Sequence, residues 1–341
     1  MFDSQIAHIV YSADDKFSEV LGISLVSLYY NNKDLKDIYV YILDGGISQE
    51  SKEKLQIISE QYDRKALIFI PAKNVSDELG LKVMLDRGSW SQYARLFIAG
   101  ELRELSRVIY LDCDIIINSF IDDLWNLDLQ GKMIGALQDA FSKFYRVNIG
   151  LKPSDIMFNS GVMVIDLDKW RSQNIEDKLL QFIVSHRGRI QQGDQGVLNA
   201  VLSQEVHCIA PKFNAVTIFY DFSYEEMLYY REPPSFYNEE EVTQAIIEPV
   251  LIHFTTSFIS KRPWIEGCKH RYLEEWNKYK ELSPWKGHPL WEDSRPKYKK
   301  LGVALLSILP RRVMLFIARF FQVYVRPIKN LLMQKVYNLN V

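Results

Sequence analysis

Apolar positions in the first part of the chain follow two rhythms. Runs at 6–11, 38–43 and 66–70 read as buried strands, whereas Val20, Ile23, Leu25 and Leu28, within 17–30, recur at helical spacing. Asp44-Gly45-Gly46 closes the second run, Ser48 supplies the N-cap of a helix reaching about residue 62, and Pro71 stops the third run. Beyond these, 91–105 reads as a helix, 108–111, 133–137 and 157–165 as strands, and 179–186 and 195–202 as helices. Strands alternating with helices predict an α/β fold with a mostly parallel central sheet covered on both faces. Between 213 and 237 the rhythm gives way to Phe219, Tyr220, Phe222, Tyr224, Tyr229, Tyr230, Phe236 and Tyr237. We read this stretch as loops packed on their own rings, with sugar stacking as the alternative. No internal repeat is present.

Charge separates the chain into a body and a tail. The net charge is −2 over 341 residues, yet no acid follows Asp293, and ten cations do: Arg295, Lys297, Lys299, Lys300, Arg311, Arg312, Arg319, Arg326, Lys329 and Lys335. Without them the first 294 residues stand at about −12. The expected organisation is a catalytic domain over 1–285, a linker over 286–300 and a tail over 301–341. Arg312, Arg319 and Arg326 recur every seven residues, with Val313, Leu315, Phe316, Ile317, Phe320, Phe321 and Val323 between and around them, and Pro310 and Pro327 flank the segment. This pattern predicts a basic amphipathic helix on an anionic membrane surface, with a helix docked on the body as the alternative. It is too apolar for an arm that tracks nucleic-acid phosphates, so no nucleic acid is expected as a partner.

Three cysteines at irregular spacing suit a reducing compartment. The start of the chain lacks the basic, then apolar, character of a secretory signal, and no apolar run approaches the ~20 residues of a spanning helix. A cytoplasmic protein, peripheral on the inner face of the cell membrane, is the expectation.

The candidate chemistry begins at Val108-Ile109-Tyr110-Leu111-Asp112-Cys113-Asp114. Side chains two apart on a strand point the same way, so two carboxylates meet at the strand end, where a hard cation relieves their repulsion. Asp166-Leu167-Asp168 has the same spacing, but Lys169-Trp170 follow in a helical pattern, so those acids read as helix caps.

Six segments, in order, give the chain a resemblance to the family 8 glycosyltransferases, the group that contains bacterial lipopolysaccharide galactosyl- and glucosyltransferases. They are Val10-Tyr11-Ser12-Ala13-Asp14-Asp15, Tyr93-Ala94-Arg95-Leu96, Tyr110-Leu111-Asp112-Cys113-Asp114, Phe158-Asn159-Ser160-Gly161-Val162, Gly193-Asp194-Gln195 and the stretch from His253 to Trp264. The resemblance spans roughly 6–285 and implies a GT-A type nucleotide-sugar-binding fold with UDP-glucose or UDP-galactose as donor. It places Ser12, Ala13, Asp14 and Lys16 at the uridine, although Lys16 departs from the small polar residue usual there. It makes Asp112, Asp114 and His253 the ligands of Mn2+, with Mg2+ as the alternative, and the imidazole favours manganese over calcium. Cys113 lies between the two acids. Lys261 or Arg262 would grip the diphosphate, in a segment longer than the family's and without its glycine.

By the same resemblance Arg95, Asp112, Ser160, Gly161, Asp194 and Gln195 surround the donor's hexose, Asn159 belongs to the donor-binding residues, and Asp139 stands on the acceptor side. Family members retain anomeric configuration. With the amide Gln195 where a carboxylate nucleophile would otherwise stand, a same-face route is expected over double displacement. The implied function is hexose transfer to a glycan or lipid-linked oligosaccharide in bacterial cell-surface polysaccharide synthesis, with homo-oligomerisation left open. Two alternatives remain: a membrane-bound scaffold of the same fold with impaired catalysis, and a sugar-1-phosphate nucleotidyltransferase. The latter needs a glycine-rich basic loop after the first strand, which Ser12-Ala13-Asp14-Asp15 does not provide.

Overall fold

The structure, a computed structural model, describes residues 5–85 and 89–336. Residues 1–4 of the expected body, and 337–341 of the expected tail, lie outside the described residues. Among the described residues ten strands form: β1 (Ile6–Ala13), β2 (Asp37–Asp44), β3 (Ile68–Pro71), β4 (Arg107–Leu111), β5 (Ile115–Ile117), β6 (Ile134–Gln138), β7 (Phe158–Asp166), β8 (Val206–Cys208), β9 (Ala215–Val216) and β10 (Leu251–His253). Seven of them make the central sheet in the order β3-β2-β1-β4-β7-β6-β8, and β5-β10-β9 make a small second sheet. In the large sheet β7 alone runs antiparallel to its neighbours β4 and β6; the other pairings are parallel. The expected mostly parallel sheet is therefore observed.

Burial on both faces explains the near-continuous apolar runs of the strands. Ile109 and Leu111 of β4 enter one core with Ile9, Tyr11, Val162 and Val164. Val108 and Tyr110 enter the other with Val10, Met163 and Ile165. The helix Ser18–Asn31 is buried on nearly every side, between the sheet and the helix Leu273–Glu281. It offers Gly22 to the ring of Trp285 so closely that a Cβ there would overlap the indole.

Several local expectations change. The segment read as a helix over 91–105 is a 3-10 stretch, Trp90–Phe97, followed by one turn, Ile98–Glu101. Burial of consecutive residues from Tyr93 to Ala99 outweighs helical propensity there. The aromatic stretch read as loops contains the helices Ile218–Asp221 and Tyr224–Arg231, the second begun by a capping box between Ser223 and Glu226. A second capping box, Asn238 with Glu241, begins Glu239–Ile247, a helix absent from the sequence reading, as was Leu273–Glu281.

The tail is helical over Lys297–Ser307, starting within the expected linker, and again from Arg311. Pro327 does not end that second helix. A π turn, Phe320–Val325, separates Arg311–Arg319 from Arg326–Val336, which places Pro327 in the first turn after a widened register, where its missing N–H costs little. Met314, Leu315 and Ala318 bury themselves among Phe222, Met227 and Tyr230. Arg311 pairs with Glu226 at 2.6 Å and Arg319 with Glu232 at 2.5 Å, so this part of the tail docks on the body, and Arg319 leaves the stripe of exposed cations. No helix among the described residues is long and apolar enough to cross a membrane.

Candidate functional site

Strand polarity builds the site. Because β7 runs against its neighbours, its first residues, Asn159, Ser160 and Gly161, stand at the same edge of the sheet as the last residues of β1, β4 and β6. At that edge β1 delivers Ser12 to Asp14, β4 delivers Asp112 to Asp114, and β6 delivers Asp139. The small sheet adds His253, at the end of β10. This is the edge at which ligands of open parallel sheets bind.

Asp112, Asp114 and His253 each present one ligand atom, all within 4.8 Å of one another. His253 Nε2 lies 3.1 Å from Asp114 Oδ1 and 3.8 Å from Asp112 Oδ2. Its Nδ1 faces Asn214 Oδ1 at 2.9 Å. Two carboxylate oxygens and an imidazole nitrogen, gathered from two segments distant in sequence, suit a divalent cation. Gly161 makes the gathering possible: a Cβ there would lie 2.9 Å from Asp112 Oδ2 and closer still to the His253 ring.

Arg95 is buried beneath these acids. Its guanidinium donates to Asp112 Oδ1 at 2.6 Å and to the Ser160 carbonyl at 2.9 Å, and Nε lies 3.1 Å from Asp194. Burial opposes its charge, but Asp112, Tyr110 and Asp194 outweigh that, and its pKa is raised. Holding Asp112 by one oxygen leaves the other turned toward His253. Burial, with the charges of Asp112 and Asp114, also pushes the Cys113 thiol well up, so it stays protonated and bonds the Ser12 carbonyl.

Gln195 stands in the first turn of the helix Gly193–Leu202, and its amide is engaged at both ends. Nε2 donates to Asp139 at 3.4 Å, and Oε1 accepts from Ser160 N–H at 3.3 Å. Burial raises the pKa of Asp139, partly offset by Arg231, Asn159, Arg146 and Gln195. Asp14 accepts from Phe17 N–H at 3.1 Å through one oxygen and from the Ser89 hydroxyl at 2.7 Å through the other. The Ser12 hydroxyl donates to Ser91 O, Ala13 is buried, and Lys16 reaches outward over Trp291. Arg262 extends to Asp114 Oδ2 at 3.0 Å, whereas Lys261 turns away to the Glu266 carbonyl and Asp293. The structure thus gathers Arg95, Asp112, Asp114, Asp139, Asn159, Ser160, Gly161, Asp194, Gln195, His253 and Arg262 about one edge, and leaves Lys16 and Lys261 facing other partners.

Residues 8–267 match the family described as Glycosyl transferase family 8. The chain belongs to that family. Relatives include General stress protein A of Bacillus subtilis (strain 168), 28% identical over 289 residues, 84% of this chain and 96% of that one. Lipopolysaccharide 1,2-glucosyltransferase of Escherichia coli (strain K12) is 23% identical over 83% of this chain and 80% of its own length. Among solved structures, the galactosyltransferase LgtC in complex with donor and acceptor sugar analogues superposes with a TM-score of 0.69 at 22% identity, covering 87% of this chain and 99% of LgtC. That likeness establishes the fold, the GT-A arrangement expected from the sequence.

The sequence reading gave no individual role to Asn214, Tyr110 or Asn199. Asn214 is fully buried at the end of the 3-10 turn Pro211–Asn214 and touches both Asn159 and His253. The Tyr110 ring lies under the Arg95 guanidinium, 4.3 Å from centroid to Cζ, and Asn199 bonds both N–H and C=O of Phe158. An asparagine ahead of an aromatic-rich stretch carries no spacing signal. Tyr110 stood in plain view, two before Asp112, but looked like one more strand residue.

Proposed function

We propose that the protein is a retaining hexosyltransferase that moves glucose or galactose from a UDP-sugar to a glycan or lipid-linked acceptor in bacterial cell-surface polysaccharide synthesis, with Mn2+ as its cation. The observation that carries this reading is the convergence of Asp112, Asp114 and His253 at the edge that also presents Gln195 and Asp139. When bound, the cation would supply Lewis-acid neutralisation of the departing diphosphate. Asp112 and Asp114 bring it two charges and His253 a neutral nitrogen. Arg262, already within 3.0 Å of Asp114, is the side chain suited to grip the diphosphate; Lys261, engaged elsewhere, is not.

For the sugar, the support is the cluster of Arg95, Ser160, Asp194 and Gln195. Asp194 is neutralised by Arg95, and the Gln195 oxygen already accepts a hydrogen bond, which leaves neither well suited to attack an anomeric carbon. A same-face route follows, in which Gln195 stabilises positive charge at the sugar and the acceptor hydroxyl approaches from the Asp139 side. Capture of a covalent hexosyl adduct on Gln195 or Asp194 would overturn it.

The tail suits an anionic membrane surface. Phe316, Phe320, Phe321, Ile328 and Leu332 are exposed beside exposed Arg312, Arg326 and Lys329, and a cation near such a surface contributes about 1 kcal/mol. This would place the enzyme on the inner face of the cell membrane, with the expected division into body, linker and tail as its working arrangement.

The test is release of UDP from UDP-glucose and UDP-galactose, with and without Mn2+. Metal-dependent release that disappears in Asp114→Ala supports the reading. Wild-type release in that variant, or none from any UDP-sugar, refutes it, and the second result favours the scaffold alternative.

A further inference from the structure

The two ring nitrogens of His253 face different chemistry, and a chain of hydrogen bonds with a fixed sense decides which one carries the proton. The chain starts at the Gly161 backbone N–H, which can only donate, and it meets Asn159 Oδ1 at 3.0 Å. The same oxygen lies 2.9 Å from the Asn214 side-chain amide, which must therefore turn its NH2 toward Asn159. That leaves Asn214 Oδ1 toward His253 Nδ1, at 2.9 Å. An amide oxygen can only accept, so Nδ1 carries the hydrogen and Nε2 presents its lone pair to Asp112 and Asp114.

We infer that Asn214 is a positioning residue that holds His253 in the Nδ1–H tautomer, so that Nε2 is offered to a divalent cation rather than spent on a hydrogen bond to Asp114. The inference rests on the reading of Asp112, Asp114 and His253 as a cation site. Its physical content is a choice between two uses of one 3.1 Å separation. With the proton on Nε2, the imidazole donates to Asp114 Oδ1 and the site closes on itself. With the proton on Nδ1, the same geometry sets a lone pair against a carboxylate oxygen, an arrangement that is favourable only with a cation between them. Partners that fix the tautomer of a ligating histidine typically change metal affinity by about 10–100-fold.

The fold supplies Asn214 for this purpose through local pairing. β9, which begins at the next residue, lies parallel to β10 with Val216 opposite His253, and this brings Asn214 beside the ring. Asn214 is fully buried, as is the backbone that carries it, so its amide has no solvent alternative. Asn159 thus has a second task besides any contact with sugar: it sets the orientation of Asn214.

The experiment has two arms. In 15N-histidine-labelled protein at pH 8.5 without metal, with His253→Gln to assign the signal, Nδ1 is expected at the protonated shift and Nε2 at the unprotonated one. In parallel, Mn2+ affinity is measured by electron paramagnetic resonance: Asn214→Leu is expected to lose about 10–100-fold, and Asn214→Asp, which keeps an acceptor at Nδ1, to recover most of it. A proton on Nε2, alone or together with Nδ1, overturns the inference. So does wild-type Mn2+ affinity in a folded Asn214→Leu protein. The nitrogen shifts of the unsubstituted protein decide the matter even where Asn214→Leu fails to fold. Failure of the underlying reading looks different: the wild-type protein then binds no Mn2+, whatever tautomer His253 adopts.

Discussion

Substituting alanine for Gly161 strains the candidate cation site with a single methyl group. The added carbon would lie 2.9 Å from both Asp112 Oδ2 and His253 Nδ1, and nearer still to His253 Cε1. Carbon contacts settle at about 3.5–4.0 Å, so the carboxylate must retreat by ~0.6 Å and the ring by roughly twice that. The ring is held at Nδ1 by Asn214 at 2.9 Å and faces Asp114 through Nε2 at 3.1 Å, so retreat breaks one of these relations. Overpacking of this kind costs about 1–3 kcal/mol, offset by ~0.4–1 kcal/mol because alanine restricts the unfolded chain. With an unfolding entropy of about 2.1 cal/mol/K per residue over 341 residues, each kcal/mol shifts Tm by ~1.4 °C, so a loss of no more than a few degrees is expected. Cation binding should suffer far more, by about 100-fold, because one ligand is displaced. Paired thermal melts and Mn2+ titrations separate the two effects. If Gly161→Ala binds Mn2+ as tightly as the wild type, His253 and Asp112 do not close over a common ion.

Other expectations follow from separate parts of the molecule. Burial lowers the pKa of His270 to about 4, beside Tyr220 and Phe254, so folding favours its neutral form; that contribution, up to about 3 kcal/mol, is complete above pH 6.5 and is lost as pH falls from 6.5 through 4. His270→Leu should flatten the slope of Tm over that interval, and an unchanged slope contradicts the assignment. Arg262→Ala should weaken UDP binding in the presence of Mn2+ by about 10–100-fold in calorimetry, as expected for loss of a charge-assisted contact, while Lys261→Ala stays within about threefold; the reverse order would exchange their roles. Replacing Arg312, Arg326 and Lys329 with glutamate should abolish sedimentation with phosphatidylglycerol vesicles while UDP release continues; equal sedimentation with neutral vesicles counts against an electrostatic attachment. Substitution is preferable to deletion of 298–341, because Met314, Leu315 and Ala318 are part of the body's packing.

Most of the sheet was readable because its strands are buried on both faces, which leaves unbroken apolar runs such as Val108 to Leu111. Of the two acid pairs that follow buried strands, Asp112 and Asp114 could be told from Asp166 and Asp168 because an extended stretch, not a helix to be capped, comes next. Elements without a clean amphipathic stripe were harder. Tyr224–Arg231 begins with a capping box, but its aromatic residues pack on several sides and blur the helical period. Trp90–Phe97 owes its 3-10 form to tertiary contacts that no local pattern encodes. At the site, His253 gained meaning only from its partners, and Asn214 could not be found at all, since its role depends on two strands 39 residues apart in its contact with His253. The π turn at Phe320–Val325 likewise escaped a reading based on a seven-residue repeat, because one widened turn rotates everything after it.

The tail touches more than a remote flank of the body. Tyr145 donates to the Gln322 carbonyl at 3.1 Å and Asn148 to the Pro327 carbonyl at 2.8 Å, and both belong to the segment that follows Asp139. Asn330 reaches Gln191, four residues ahead of Gln195. Whatever grips the tail therefore grips the surroundings of the candidate site as well. Resting on a lipid surface, such a molecule would carry its site at one height and one tilt, and the distance from lipid to the reacting hydroxyl would become a gauge of which growing chains fit.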